Sequence, residues 1–223
     1  MIIDPYTWHR VKIATVMTVA TDTVAIRMPR PDGYTFRAGQ YAVVRTVIEN
    51  TPLIRQYSFS SNPDDDMFEL LVQCEPGGTV SNWFYTSAKP GDEIKLSQPF
   101  GNFTWDNEPG PILLIAGRIG IAPFVSMLRH HQKVRSRAPV SILYSVRDAK
   151  QICEKDLLDS YETTYLITGS GQRLSKELLQ VHLGKNPTVY LCGSKQFVDA
   201  LNTLLLSLQV SQDRIRRELF TLQ

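Results

Sequence analysis

The sequence predicts two domains: a small antiparallel β-barrel over residues 1–106, then an α/β unit with a mainly parallel sheet over residues 111–223. Two observations predict this. Up to about Trp105 the chain is a run of short candidate strands, broken by turn clusters and holding one short helix. Beyond Asn107-Glu108-Pro109-Gly110-Pro111, which reads as a linker, the pattern changes to buried strand then helix, repeated. A chain of 223 residues is long enough for two cores.

In the first half, Val24, Ile26 and Met28 alternate with other residues, as do Phe68, Leu70 and Val72, and this is the period of a strand. Further strands are expected at 41–45, 57–60 and 93–96, with the short helix near 80–85. Asp32-Gly33, Asn62-Pro63-Asp64-Asp65-Asp66 and Lys89-Pro90-Gly91-Asp92 separate them as turns. In the second half, Ile112-Leu113-Leu114-Ile115-Ala116 is continuously apolar, as a strand covered on both faces should be. Pro123 suits the first turn of a helix, where a missing N–H forfeits no intrahelical bond. Later strands are expected at 140–145, 165–168 and 188–192, and helices near 154–161, 175–182 and 196–208.

Composition excludes several classes. Three cysteines (Cys74, Cys153, Cys192) cannot pair completely and lack C-x-x-C spacing, which argues against a zinc site and for a reducing, cytoplasmic setting. They are also too few for a plant-type iron–sulfur cluster, which needs four thiolates. A net charge of +2 gives no argument for nucleic acid, and no apolar run reaches membrane-spanning length. Met1-Ile2-Ile3-Asp4-Pro5 has neither the basic start nor the apolar stretch of a signal peptide.

The blocks that carry chemistry come in order. Arg55-Gln56-Tyr57-Ser58 offers a charge and a ring on one strand face, since alternate residues share a face. Taken alone, it reads as an ordinary strand. Glu75-Pro76-Gly77-Gly78-Thr79-Val80-Ser81-Asn82 is a glycine turn opening a helix, able to take an anion on free N–H groups, or a tight turn capped by Ser81. Together the two blocks supply what a flat, phosphate-bearing cofactor such as a flavin needs. Gly101, in Pro99-Phe100-Gly101-Asn102-Phe103, either packs against a cofactor or bends a strand. Gly117-Arg118-Ile119-Gly120-Ile121-Ala122-Pro123 follows a buried strand, where α/β sheets bind ligands, although its spacing is not G-x-G-x-x-G. Cys192-Gly193 ends another such strand, and Cys192 either lines a nicotinamide pocket or is a small core thiol. Arg147 and Arg173 can meet a ribose phosphate or pyrophosphate. His130-His131 reads as a solvated helix rather than a metal pair, and the stretch 129–137 carries four fixed positive charges and no acid.

Six blocks in order along the chain resemble the ferredoxin–NADP reductase superfamily, including the reductase portions of flavohaemoproteins and bacterial oxygenases. The likeness runs over essentially all 223 residues. Arg55-Gln56-Tyr57-Ser58 is similar to its flavin motif and 77–82 to its pyrophosphate turn. The segments 117–123, 144–147 and Cys192-Gly193 are similar to its nicotinamide-domain motifs, and Arg217-Glu218-Leu219-Phe220 to its terminal acid–aromatic pair. Two departures stand out: Arg118 replaces the family's second glycine, and Ser194-Lys195-Gln196-Phe197 replaces its Pro/Met residues.

The resemblance implies FAD as cofactor and NADPH or NADH as donor. It implies Arg55 and Ser81 near the flavin phosphates, Tyr57 on the ring and Phe220 on the opposite face. The implied binding residues further include Gln56, Ser58, Val72, Gly78, Thr79, Val80, Gly117, Ile119, Gly120, Pro123, Arg147, Arg173, Cys192 and Gly193. Ser58, Cys192 and Glu218 are expected to surround the transfer point. The implied activity is an FAD-dependent NAD(P)H oxidoreductase passing electrons singly to a separate ferredoxin, flavodoxin or oxygenase component. Two alternatives stand: a flavin-binding electron-transfer subunit of a larger complex with weak nicotinamide use, and an enzyme that reduces free flavin or ferric complexes.

Overall fold

The computed structural model describes residues 4–105 and 110–220, so residues 107–109 of the expected linker lie outside the described residues. The first half holds β1 (His9–Lys12), β2 (Thr15–Ala20), β3 (Thr23–Pro29), β4 (Tyr41–Ile48), β5 (Thr51–Ser58), β6 (Met67–Gln73), α1 (Thr79–Thr86) and β7 (Glu93–Leu96). Two antiparallel sheets, β1-β7-β4-β5 and β2-β3-β6, are joined by a bridge between Phe59 and Leu70. They close on one core that includes Val24, Ile26, Met28, Val44, Phe59, Phe68, Leu70 and Leu96. Phe36 stacks on Phe59 at 4.1 Å in its centre.

β4 and β5 form one long hairpin, turned at Glu49-Asn50 with φ of 49° and 62°. Only its far ends were expected from sequence. Two successive positive φ values are the geometry of a tight hairpin turn, but Glu-Asn lacks the glycine that would announce it.

The second half is a parallel sheet of order β10-β9-β8-β11-β12, from β8 (Ile112–Gly117), β9 (Val140–Val146), β10 (Glu162–Ile167), β11 (Thr188–Ser194) and β12 (Ile215–Phe220). One face packs on α2 (Ala122–Lys133) and α3 (Lys155–Asp159), through Phe124, Val125, Leu128 and Leu158. The other packs on α4 (Lys176–Leu183) and α5 (Lys195–Ser207), through Leu179, Val198, Leu201 and Leu205. Ile112, Leu113, Leu114, Ile115 and Ala116 are all buried, as their continuous apolarity requires. β12 was not expected, because Ile-Arg-Arg-Glu-Leu-Phe reads as polar; it is an edge strand, and edges tolerate charge.

Alternation in β3 and β6 marks one apolar face, yet both faces are largely buried. Val24, Ile26, Phe68, Leu70 and Val72 enter the barrel core, while Ala25 and Leu71 enter the core of the second half with Phe124 and Met127. Gly39 shows how closely the halves approach, since a Cβ there would stand 2.4 Å from Met127 Cε and 2.1 Å from the Phe103 carbonyl oxygen.

The same seam is polar at its rim. Arg129 of α2 donates to Glu69 Oε1 at 2.5 Å, to the Ser60 carbonyl at 2.8 Å and to Glu154 Oε2 at 2.7 Å. Arg27 donates to Glu69 Oε2 at 2.7 Å, and Ser126 to the Ser61 carbonyl at 2.6 Å. Asp22 accepts from Gln73 and from Gln151, tying a barrel turn to the second half. Within the stretch 129–137, expected as a solvated basic helix end, Lys133, Arg135 and Arg137 are exposed and only Arg129 departs from that reading. Arg129 is an interdomain ion-pair residue, and Lys133 faces Asp65 at 3.8 Å. His130 meets Asn62 at 3.1 Å, and His131 stacks on Trp105 at 4.9 Å.

Burial would push the Glu69 carboxyl up, but the charge of Arg129 and hydrogen bonds from Arg129, Arg27 and Ser60 hold it below the ordinary range. A depressed carboxylate stabilises the fold above its unfolded pKa and ceases to do so as pH falls through the folded one. Arg129→Met, which leaves Glu69 a buried charge short of its main partner, is expected to cost about 3–5 kcal/mol. The thermal midpoint at neutral pH should fall by about 10 °C. A calorimetric scan of the two proteins checks this, and a shift under about 2 °C would contradict it.

Candidate functional site

The site is assembled from three places. The first is the turn before α1. Gly77 has φ of 76° and no atom within 4 Å of a built Cβ, so its backbone borders open space. Gly78 is the helix N-cap, and a Cβ there would lie 2.5 Å from Ser81 Oγ. Ser81 was weighed as a cap, and that reading is corrected: its hydroxyl accepts from the Glu75 N–H at 3.2 Å and closes the turn, while α1 opens with no side-chain cap and no acid in its first turn. The first amides, from Thr79 onward, therefore keep the positive character of a helix start. Val80 is buried in the barrel core and anchors this turn.

The second is β5. Arg55 lies opposite Val44 and Tyr57 opposite Ala42, so both stand on one face as expected. The Tyr57 ring meets Phe84 of α1 edge-on, with centres 5.7 Å apart, which sets it beside the glycine turn. Burial raises its hydroxyl pKa. Arg55 is part-exposed and donates to the Ile54 carbonyl at 2.7 Å. Gln56 and Ser58 take the other face, where Gln56 is exposed and Ser58 is buried opposite Tyr41. Val72 is fully buried in the barrel core.

The third is the carboxyl edge of the parallel sheet between β8 and β11, where the strand order reverses and α/β proteins bind ligands. Gly120 packs on β11 so closely that a Cβ would stand 2.2 Å from the Cys192 carbonyl oxygen. Pro123 is buried in the first turn of α2, and Ile119 is partly buried against the core. Arg147 and Arg173 follow the adjacent strands β9 and β10. Their loops are stitched by the Gly169 N–H to the Arg147 carbonyl at 2.8 Å, and Arg173 donates to the carbonyls of Thr168 and Gln172.

Between these places three distant segments meet. Glu218 of β12 lies opposite Cys192 of β11, and Phe220 lies opposite Ser194. Cys192 is wholly buried, and burial followed by the Glu218 charge pushes its thiol well above the ordinary value. Burial lifts the Glu218 carboxyl to about 7. Tyr41 is raised by burial and then by the Glu218 charge, and Ser58 is its partner on β5. Tyr41 was missed by sequence reading, because its place depends on the β4–β5 register. Gly101 acts here, with φ of 100° and a built Cβ 3.2 Å from the Tyr41 ring, so its role is to seat that ring. Among the described residues no His/Cys/Asp/Glu group could hold a metal, and no helix is long and apolar enough to cross a membrane.

Comparison with known proteins decides the family. The oxidoreductase FAD-binding domain family matches residues 10–105, and the oxidoreductase NAD-binding domain family matches residues 114–203. The chain belongs to the ferredoxin–NADP reductase superfamily. It is 28% identical to the ferredoxin–NAD(P)(+) reductase component of a naphthalene 1,2-dioxygenase system from Pseudomonas putida, covering 97% of this chain and 72% of that one. It is 32% identical to a flavohaemoprotein from Oceanobacillus iheyensis, covering 83% of this chain and 52% of that protein, so it spans about half of that relative. In fold it is similar to a ferredoxin NADP+ reductase from Neisseria gonorrhoeae solved with FAD and NADP, with a TM-score of 0.82 at 20% identity over 95% of this chain and 98% of that one.

Both departures from the superfamily pattern fall at the switch point. Arg118 holds φ of 52°, a conformation that costs a non-glycine residue about 1–2 kcal/mol. Its Nη2 faces Glu75 Oε1 across the two halves at 3.5 Å. Phe197 sets its ring against both Gly117 and Gly193, where built Cβ atoms would come within 2.9 Å and 2.8 Å of it.

Two outcomes follow from this geometry. Glu218 is raised in the fold, so its contribution to stability is largest below the unfolded carboxylate pKa and is lost as pH rises to about 7. Wild type should lose about 2 kcal/mol between pH 4.5 and 7, after screening at this part-exposed site, and Glu218→Gln should flatten that slope in urea titrations. Gly120→Ala should destabilise by at least about 1–3 kcal/mol in the same titrations, since the added methyl has only β11 backbone to displace.

Proposed function

We propose that the chain is an FAD-dependent NAD(P)H oxidoreductase that takes one hydride and passes its two electrons singly to a separate ferredoxin, flavodoxin or oxygenase component. The observation that carries this reading is the pairing of Glu218 with Cys192 at the carboxyl edge of the parallel sheet, in a chain whose other half holds an uncapped helix start at a glycine turn. The functional halves are proposed as 1–106 for flavin and 111–223 for nicotinamide nucleotide, and a cytoplasmic setting is supported by three free cysteines.

The donor set fits a flavin dinucleotide. An uncapped helix start beside a glycine bordering open space suits a diphosphate, with Arg55 as a nearby charge. Tyr57, held edge-on by Phe84, suits a stacked ring. When bound, FAD supplies hydride acceptance and one-electron release. The chain supplies the rest. Gly117, Gly120 and Gly193 allow backbone near the incoming nucleotide, with Ile119, Pro123, Arg147 and Arg173 around it. Phe220 would cover the face of a bound flavin that the nicotinamide must reach. Cys192, whose thiol stays protonated, acts as a small wall rather than a nucleophile. Glu218, half titrated near neutrality, can hold a proton beside the transfer point.

A second reading, a flavin-binding electron-transfer subunit with weak nicotinamide use, is favoured by the Phe197 ring lying over Gly117 and Gly193. Anaerobic stopped-flow mixing of the FAD-loaded protein with NADPH and, separately, NADH tests the two. Flavin absorbance is expected to bleach within seconds with at least one donor. Bleaching over many minutes with both would favour the second reading.

A further inference from the structure

Resting on the reading that the switch point takes a nicotinamide dinucleotide, we propose that Arg118 is a charge clamp for the diphosphate of that nucleotide, parked on Glu75 until the nucleotide enters. Arg118 occupies the left-handed region immediately after β8, where glycine would sit without strain. Strain of this kind persists where surrounding structure and function require it. The Glu75 contact does not account for it. At 3.5 Å it is longer than a charge-assisted hydrogen bond, and with the Arg118 side chain 48% exposed such a pair contributes little.

What the conformation achieves is placement. Glu75 opens the turn that leads through Gly77 and Gly78 into α1, so the guanidinium stands between the turn after β8 and the turn of the other half. A planar guanidinium can take two diphosphate oxygens at once, with short bonds in place of one long one. An arriving diphosphate would therefore displace Glu75, and Glu75 would act as its competitor. Since FAD carries a diphosphate as well, the source must be separated by experiment.

FAD-loaded wild type, Arg118→Gly, Glu75→Gln and the double variant are titrated calorimetrically with NADP+ and with NAD+, at low and moderate salt, and FAD retention is followed by ultrafiltration. Arg118→Gly should weaken both nucleotides about tenfold and flatten the salt dependence, with FAD retention unchanged. It should fold, because glycine adopts this φ freely. Glu75→Gln should tighten nucleotide binding about threefold, and the double variant should match Arg118→Gly, because Glu75 acts only through Arg118. Unchanged or tighter binding in Arg118→Gly overturns the clamp alone. Loss of FAD with nucleotide affinity intact also overturns it, assigning the arginine to the flavin side. Failure of wild type to bind either nucleotide overturns the reductase reading and the clamp together.

Discussion

Arg129 and Glu69 form the contact on which the arrangement of the two halves depends. Glu69 sits in the middle of β6, a strand buried on both faces, with its side chain only 3% exposed. A carboxylate there has no water to hydrate it and must be met by a cation and by hydrogen bonds. Arg27 comes from the paired position on β3, Ser60 from the loop after β5, and Arg129 from α2 of the other half. The charge of the barrel is thus completed by the sheet half. Around it Ala25 and Leu71 share one apolar core with Phe124 and Met127. Two domains that read as separate in sequence pack as one body along β3, β6 and α2.

That packing fixes the candidate site. Ser58 belongs to the barrel, while Cys192 and Glu218 belong to the sheet, and none of the three is near another in sequence. β12 brings Glu218 beside Cys192, and the Glu218 charge is felt by Tyr41 of the barrel. Burial follows from the meeting of two surfaces, and the altered acidities of Glu218 and Cys192 follow from burial. A surface carboxylate on an edge strand becomes a group that titrates near neutrality because another half covers it.

The departures from the superfamily pattern acquire physical content in the same place. In the turn after β8, Arg118 holds a conformation that suits glycine and adds a guanidinium. After β11, the Phe197 ring lies over two glycines. Both changes act on the volume and charge of the crevice and leave the sheet order untouched.

Much of the fold was legible in the residues. The continuous apolar run at 112–116 specified a strand buried on both faces, and the α/β alternation placed β8, β9 and β11 and the helices near 175–182 and 196–208 close to where they lie. Gly77-Gly78 and Arg55/Tyr57 were found because their signals, a flexible backbone and a shared strand face, are local. Tertiary structure decided the rest. Alternation in β3 and β6 could not reveal a second buried face, since Glu69 looks like a solvent residue until Arg129 covers it. Arg129 looked like part of a free basic surface, because charge is visible in sequence and its partners are not. Tyr41 and Glu218 required strand registers, set by contacts between residues far apart in the chain. By itself the sequence determined many of the elements and the glycine turns, which depend on local backbone chemistry. Only the tertiary structure decided which charges are buried and which residues meet, because burial and long-range pairing are properties of the assembled surfaces.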